Sequence, residues 1–281
     1  MWGFQQVFIF RLDLSAGLDH LGAMKTLAGT RVAAVLTSLA LLTLGPAHRT
    51  RPESRMDRLP RLTVWAWERR EDLRAIDPAT TAVAWLDRTV VLDGRGLMVE
   101  PRRQALLLPA SSGLVRIAVV RVETGSGSQL NDDSARAVAQ AIVQAVQPEV
   151  AALQVDFDAK QSERSWYADL LRQVRAQMPA GLPLSITALA SWCSYDGGWL
   201  EGLPVDEAVP MLFRMEPDRR RVGVSGWGGG DFAIREPLCM GSVGISTTEA
   251  WPSDLRERRV YVFADRGWGS DGLQQTVRSL E

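Results

Sequence analysis

Histidine is nearly missing from this sequence. Only His20 and His48 occur, and both precede the stretch that reads as a folded domain. A domain without histidine cannot use a Ser-His-Asp or Cys-His nucleophile, and it lacks the imidazole that most protein zinc sites use. We therefore expect no metal and no cofactor. Acid–base chemistry must come from carboxylates, tyrosine or groups tuned by arginine.

Lysine is equally scarce. Lys25 and Lys160 are the only two, so arginine carries almost all the positive charge. The net charge is −1 and the pI about 6.2, so the chain has no electrostatic footprint for nucleic acid. No Gly-x-Gly-x-x-Gly motif follows a predicted strand, and the glycines of 226–230 fall in a loop. A dinucleotide site is therefore not expected.

Long hydrophobic runs are limited to one, near the N-terminus. Lys25 follows Met24, Val32–Leu44 is apolar or small, and Gly45-Pro46-Ala47 closes the run. This is the pattern of a secretory signal peptide, and the run is short for a membrane span. We expect residues 1–47 to be a leader, with Met24 as the true start and a periplasmic or secreted mature protein. An uncleaved anchor is the alternative, and no other membrane contact is expected.

Cysteine is limited to Cys193 and Cys239. An exported domain meets an oxidising compartment, where paired cysteines form disulfides. Cys193 follows a predicted strand and Cys239 precedes another, so both could lie on one rim. We predict a disulfide between them, with two buried free thiols as the alternative.

The remaining chain reads as one large domain. Residues 48–60 are rich in arginine and proline and are interpreted as a linker, and residues 61–281 as a single domain with a substantial core. A short polar helix is predicted from Glu68 to about Ala75. The eight main predicted strands are Leu62–Trp67, Ala82–Asp87, Val115–Glu123, Ala151–Ala159, Leu184–Ala190, Glu207–Phe213, Ser242–Thr247 and Arg259–Phe263.

Several of these strands alternate with helical segments, which indicates a parallel sheet. Thr89–Leu92 and Leu97–Glu100 form a predicted hairpin after the second strand. We expect an irregular α/β fold, a (β/α)₈ TIM-like barrel with this hairpin inserted. An open doubly wound sheet is the alternative.

The stretch Ala151–Ala159 is the most informative one. Side chains alternate along a strand, so Leu153, Val155 and Phe157 share one face, and Gln154, Asp156 and Asp158 share the other. Carboxylates at the C-terminal end of a barrel strand lie where active sites are built. Two neighbouring carboxylates resist joint ionisation, so one should have a raised pKa unless an arginine compensates.

Other strand ends supply further candidates. By parity, Arg121 and Glu123 lie together on one strand face. Asp158 is the predicted acid or nucleophile, which Asp156 tunes and positions, and Glu123 or Glu249 is the predicted catalytic partner. Aromatic faces pack on the apolar faces of sugars. The residues predicted to bind substrate are Trp67, Trp192, Arg214, Glu249 and Trp251. Glu68, Asp87 and Asp265 also end predicted strands.

Several stretches resemble an uncharacterised bacterial family of exported proteins, which is similar to TIM-barrel glycoside hydrolases. They lie between about residues 60 and 268, and are Leu153–Ala159, Ser162–Tyr167, Leu184–Cys193, Leu203–Met215 and Ser242–Ser246. The Asp-x-Asp of the fourth strand also resembles chitinase-type barrels, which continue to a catalytic Glu two residues later. Here that position is Lys160, so the resemblance does not supply that acid.

Two functions remain open from the sequence. The first is an exported glycoside-hydrolase-like barrel that acts on polysaccharide or oligosaccharide by carboxylate acid–base chemistry. The second is a non-catalytic carbohydrate-binding or structural envelope protein on the same fold. Two inward carboxyl groups facing an open cleft would favour the first.

Overall fold

The computed structural model describes residues 54–110, 113–196, 198–213, 234–252 and 255–280. The strands are β1 (Leu62–Ala66), β2 (Glu71–Asp72), β3 (Thr81–Asp93), β4 (Gly96–Pro101), β5 (Leu106–Leu107), β6 (Arg116–Thr124), β7 (Val150–Asp156), β8 (Leu184–Leu189), β9 (Glu207–Met211), β10 (Ser242–Ser246) and β11 (Arg259–Phe263). The helices are α1 (Asp132–Val143), α2 (Arg164–Gln177), α3 (Ala190–Ser194) and α4 (Ser270–Leu280), with short 3₁₀ turns between some elements.

Eight parallel strands close into a barrel. Around the barrel the order is β1, β11, β10, β9, β8, β7, β6 and β3, and β1 pairs with both β11 and β3. Trp65 of β1, for example, lies opposite Phe263 on one side and Ala84 on the other. The predicted TIM-like barrel is confirmed, and the open sheet is excluded by this closure.

The predicted second strand and the first arm of the hairpin are one strand. β3 runs unbroken from Thr81 to Asp93 and shifts register against β6 between Leu86 and Arg88. This irregularity lets one strand serve the barrel and then the hairpin. β4 pairs antiparallel with the far half of β3, outside the barrel. Gly96, with φ 119°, follows the turn.

The predicted polar helix from Glu68 to Ala75 is wrong. That segment contains the short strand β2, which pairs with β5. Arg102 explains the difference, because its guanidinium donates to the carbonyl oxygens of Trp67 and Arg69. These carbonyls are therefore satisfied by a distant side chain instead of by helical hydrogen bonds.

Two apolar clusters reflect the alternation of strand side chains. Leu153, Val155 and Phe157 belong to the outer cluster, which α1 and α2 cover. Ile117 and Val119 of β6 belong to the inner cluster along the barrel axis. The predicted faces of the central strand are those observed in β7.

A chain of polar contacts crosses the barrel interior. Trp65 donates to Gln154 at 2.8 Å, and Gln154 donates to Ser185 at 3.0 Å. The Ser185 hydroxyl donates to Glu207 at 3.0 Å, and the Tyr261 hydroxyl donates to the same carboxylate oxygen at 2.5 Å. Gln154 therefore has the partners that a buried amide requires.

Residues 54–60, predicted as part of the linker, pack against the barrel. Met56 is fully buried in the inner cluster. Arg55 pairs with Asp206 at 2.9 Å, and Arg259 donates to the carbonyl oxygens of Leu59 and Pro60. Asp206 and Arg259 stand at the starts of β9 and β11, so this segment covers the N-terminal end of the barrel, opposite the mouth formed by the strands' C-terminal ends.

A helix cap on α1 and a disulfide stabilise the segments outside the barrel. The Asn131 side chain accepts from the Ser134 amide at 2.9 Å and so caps α1. Cys193 and Cys239 are joined by a disulfide with their Cα atoms 5.7 Å apart, which is the pairing expected from the sequence. Within the described ranges, no helix combines the length and apolarity needed to span a bilayer.

Candidate active site

The mouth of the barrel brings three charged side chains of β6 and β7 together. Arg121 donates from Nη1 to Asp156 at 2.8 Å and from Nε to Glu123 at 2.7 Å. Thr187 of β8 donates its hydroxyl proton to the other Asp156 oxygen at 2.7 Å. Asp156 is almost fully buried, whereas 44% of the Glu123 side chain is exposed. The predicted proximity of Asp156 and Glu123 is therefore mediated by Arg121.

Asp158 follows Asp156 by two residues and lies above it at the mouth. Its side chain is exposed to solvent, although protein atoms surround the carboxyl on several sides. Desolvation by the surrounding protein and the negative charge of Asp156 together raise the pKa of the Asp158 carboxyl to about 6, although Arg121 opposes both. A carboxyl with such a pKa can hold a proton near neutral pH and donate it.

Aromatic rings line the inner side of the mouth. The Arg121 guanidinium lies 5.8 Å from the centre of the Trp67 ring, and Trp67 meets Phe263 edge-on at 6.4 Å. Phe213 stacks on Phe263 at 5.6 Å with nearly parallel planes. Trp67 is only partly buried, so the ring predicted to bind substrate lies beside the charged cluster.

The wall opposite β7 also carries a carboxylate. Asp265 lies two residues beyond Phe263, the last residue of β11, so alternation puts its side chain on the same face as Tyr261 and Phe263. Its carboxylate accepts hydrogen bonds from the hydroxyls of Ser246, at 2.5 Å, and Thr248. β11 and β7 are four strands apart in either direction around the barrel. Strand parity was the sequence signal for Asp265, but nothing in the sequence ranked it above the other strand-end acids.

Tyr167 is a neighbour that the sequence did not single out. It lies on α2, packs edge-on against Phe157 at 5.1 Å, and is fully buried. Burial, and then the charges of Asp156 and Asp158, raise the pKa of its phenol well above the ordinary value. The neutral phenol therefore adds low-polarity surroundings behind the two carboxylates.

The other two tryptophans predicted to contact substrate differ in their exposure. Only 1% of Trp192 is exposed, because Trp199 packs on it at 4.8 Å and Arg164 covers it. Trp251 donates its indole N–H to the Ser246 carbonyl oxygen at 2.8 Å. Its ring packs against the outer core and lines a cavity of about 330 Å³ beside α4, together with Trp268. Trp192 is too deeply buried to contact a ligand, so that assignment is corrected. Trp251 is partly exposed beyond the C-terminal end of β10, so its role in binding stays a prediction.

The remaining predicted residues have mixed outcomes. Glu249 lies partly buried in the turn after β10, where its amide approaches the Ser246 carbonyl oxygen at 3.5 Å. Arg214 lies outside the described residues.

Lys160 is exposed, and the nearby Glu163 carboxylate accepts from its backbone amide at 2.8 Å and from Thr124. Glu163 is thus turned away to cap a loop and does not replace the missing acid.

Across the ranges that the structure describes, no group of three or more His, Cys, Asp and Glu side chains is arranged to hold an ion. The chemistry available at the mouth is that of carboxylates, an arginine and aromatic faces.

Residues 112–209, about a third of the chain, match the family described as a domain of unknown function, DUF3142. This stretch runs from β6 into β9, so it contains Arg121, Glu123, Asp156 and Asp158. The resemblance to an uncharacterised family is confirmed over this stretch.

Two of the solved structures that this chain resembles have low sequence identity to it. One is the spore cortex-lytic enzyme SleL of Bacillus cereus, with a TM-score of 0.39 and 17% identity over 66% of this chain and 50% of that one. The other is the chitinase domain of the spore coat protein CotE of Clostridium difficile, with a TM-score of 0.36 and 12% identity over 82% of this chain and 63% of that one. The chain thus spans less than two thirds of either. No curated protein matches.

Proposed function

We propose that this protein is a glycoside-hydrolase-like barrel that cleaves polysaccharide with carboxylates at its mouth. The observation that carries the proposal is Asp158, a carboxyl two residues beyond the end of β7 with a pKa raised to about 6. It lies beside an ion-paired carboxylate and near a partly exposed tryptophan ring. Glycosidic cleavage requires a carboxyl that donates a proton and a second carboxylate, and an aromatic face can hold the sugar ring.

In this mechanism Asp158 donates its proton to the glycosidic oxygen as the bond to the leaving sugar breaks. Asp156, held by Arg121 and Thr187, keeps negative charge close to Asp158 and so maintains the raised pKa. A second carboxylate must either attack the sugar or activate water. Glu123 on the same wall and Asp265 on the opposite wall are the two choices.

A polysaccharide panel tests the proposal. Peptidoglycan, chitin, cellulose and xylan are incubated with the protein, and new reducing ends are counted. Hydrolysis of at least one polymer is expected. Of the variants Glu123→Gln and Asp265→Asn, the one that removes the second carboxylate should lose about 10²-fold or more in rate. If neither variant loses activity, this two-carboxylate mechanism fails.

A non-catalytic carbohydrate-binding protein is the second proposal. Lys160, at the position of the chitinase-type acid, is the observation that favours it. The same panel separates the two, because a binding protein would be retained by an insoluble polymer without releasing reducing ends.

Export is proposed as well. It is supported by the signal-like pattern from Met24 to Ala47 and by the disulfide, which persists in oxidising compartments. Because residues from Ser54 onward pack on the barrel, cleavage is expected between Ala47 and Ser54. N-terminal sequencing of the mature protein checks this, and an intact leader on protein recovered from the cytoplasm would contradict it.

A further inference from the structure

The hairpin of β3 and β4 prolongs one wall of the mouth. Residues that lie directly opposite each other on paired strands point to the same face of the sheet. Met98 of β4 lies opposite Val91 of β3, and Val91 lies opposite Glu123 of β6. Because Glu123 faces the mouth, Val91 and Met98 face it too.

A second row of side chains runs parallel to the first, one step closer to the barrel. Glu100 lies opposite Thr89, Thr89 lies opposite Arg121, and Arg121 lies opposite Asp156. The row therefore leads from the hairpin directly to the ion-paired carboxylate of the proposed site.

The other face of the same hairpin points away from the mouth. Leu97 and Val99 lie opposite Leu92 and Val90, which are buried in the outer core. Leu97 and Met98 are thus adjacent in sequence, but they occupy opposite faces of β4.

Met98 has an apolar side chain that is unusually exposed to water. It is 44% exposed, one of a few large apolar side chains with so much surface among the described residues. The neighbouring Glu123 side chain is exposed to the same extent. Exposed apolar surface that continues a polar cleft is typical of a binding site, and the flexible thioether of methionine adapts to varied ligand surfaces.

We infer that Thr89, Val91, Met98 and Glu100, here called the hairpin face, form a subsite for the polysaccharide chain beyond the sugar that reacts. Met98 and Val91 offer apolar contact to the C–H face of a sugar ring. Thr89 and Glu100 offer hydrogen bonds to hydroxyl groups. Adjacent strands are about 4.8 Å apart, so Met98 lies roughly 10 Å from the Glu123 position. The inference rests on the proposed function, because only an extended glycan joins the two places.

Affinity electrophoresis tests the subsite. The protein is run in native gels containing glycol chitin, carboxymethyl cellulose or xylan, and retardation is measured against polymer concentration. Met98→Ala should weaken the interaction by roughly fivefold or more. Leu97→Ala is the matched control, since it shortens a neighbouring exposed side chain on the opposite face, and its retardation should equal that of the parent protein. Thermal unfolding of both variants verifies that each is folded.

Every outcome of this test supports or overturns the subsite without deciding whether the protein is a hydrolase. Selective loss in Met98→Ala supports the subsite, whether or not the panel detects hydrolysis. Hydrolysis by a protein whose retardation does not change in Met98→Ala overturns the subsite and leaves the hydrolase standing. Equal loss in both variants, or no retardation of the parent protein in any of the three gels, also overturns the subsite.

Discussion

Asp156 and Asp158 show how two identical side chains, two residues apart, acquire different roles. Strand parity predicted their common face and a raised pKa for one of them. It could not predict which one, because that depends on the reach of Arg121 from the neighbouring strand and of Thr187 from the next. These partners hold Asp156, while burial at the mouth raises the pKa of Asp158.

Asp156→Asn should lower the pKa of Asp158 from its value of about 6. The substitution removes the negative charge that opposes ionisation, and it frees Arg121 to favour the charged form. Carbon-13 NMR titration of the side-chain carboxyl measures this value directly. Asp265→Asn, on the opposite wall, is the control and should change it little. An unchanged or higher pKa in Asp156→Asn would show that the two carboxyls do not interact.

At the scale of elements, the strands were easier to predict than the segments that join or precede them. β7 and β11 are recognisable as short, largely apolar stretches, whereas the segment from Ser54 to Pro60 has the composition of a linker. What fixes that segment is one methionine, Met56, and the carbonyl groups that Arg259 binds from 200 residues away. Such contacts leave no periodic pattern in the sequence.

Met56→Ala should destabilise the domain by about 2–5 kcal/mol, because it leaves a cavity in the inner core. Denaturant unfolding followed by tryptophan fluorescence measures the change in free energy. Met98→Ala makes the same chemical change at an exposed position and should cost less than about 0.5 kcal/mol. Equal unfolding midpoints for Met56→Ala and the parent protein would mean that the segment does not seal the barrel.

For the whole molecule, the sequence predicted the barrel, but not which side chains the closed barrel leaves open. Trp67 and Trp192 both follow or end predicted strands, yet only Trp67 stays accessible. Trp192 is covered by Trp199 and Arg164, which come from separate parts of the chain. The order of residues along a strand determines which face of the sheet each side chain lies on. Whether that side chain is then covered depends on segments that meet only in the folded molecule.

The stability of the whole domain should depend on pH through Glu71. Burial raises the pKa of this carboxyl from 4.5 to about 7, although Arg102 and Arg69 oppose the shift. The stabilisation linked to the protonated form is thus complete below pH 4.5 and is lost as the pH rises through about 7. The loss amounts to at most about 3 kcal/mol.

Glu71→Gln removes this titration, so the variant should gain stability relative to the parent protein between pH 4.5 and pH 7. Urea unfolding of both proteins at several pH values measures the difference. Glu201→Gln, at an exposed position, is the control and should follow the parent protein. A constant difference between Glu71→Gln and the parent across this range would refute the assignment.

The pH dependence of polysaccharide hydrolysis by the parent protein and by Asp158→Asn tests the central claim most directly. Asn keeps the shape of the side chain and loses its proton. The account predicts that the parent protein releases reducing ends at a rate that falls as the pH rises through about 6, where Asp158 loses its proton. Asp158→Asn should be slower by about 10²-fold or more while remaining folded. Equal rates for the two proteins, or no release from any polymer of the panel, would contradict it.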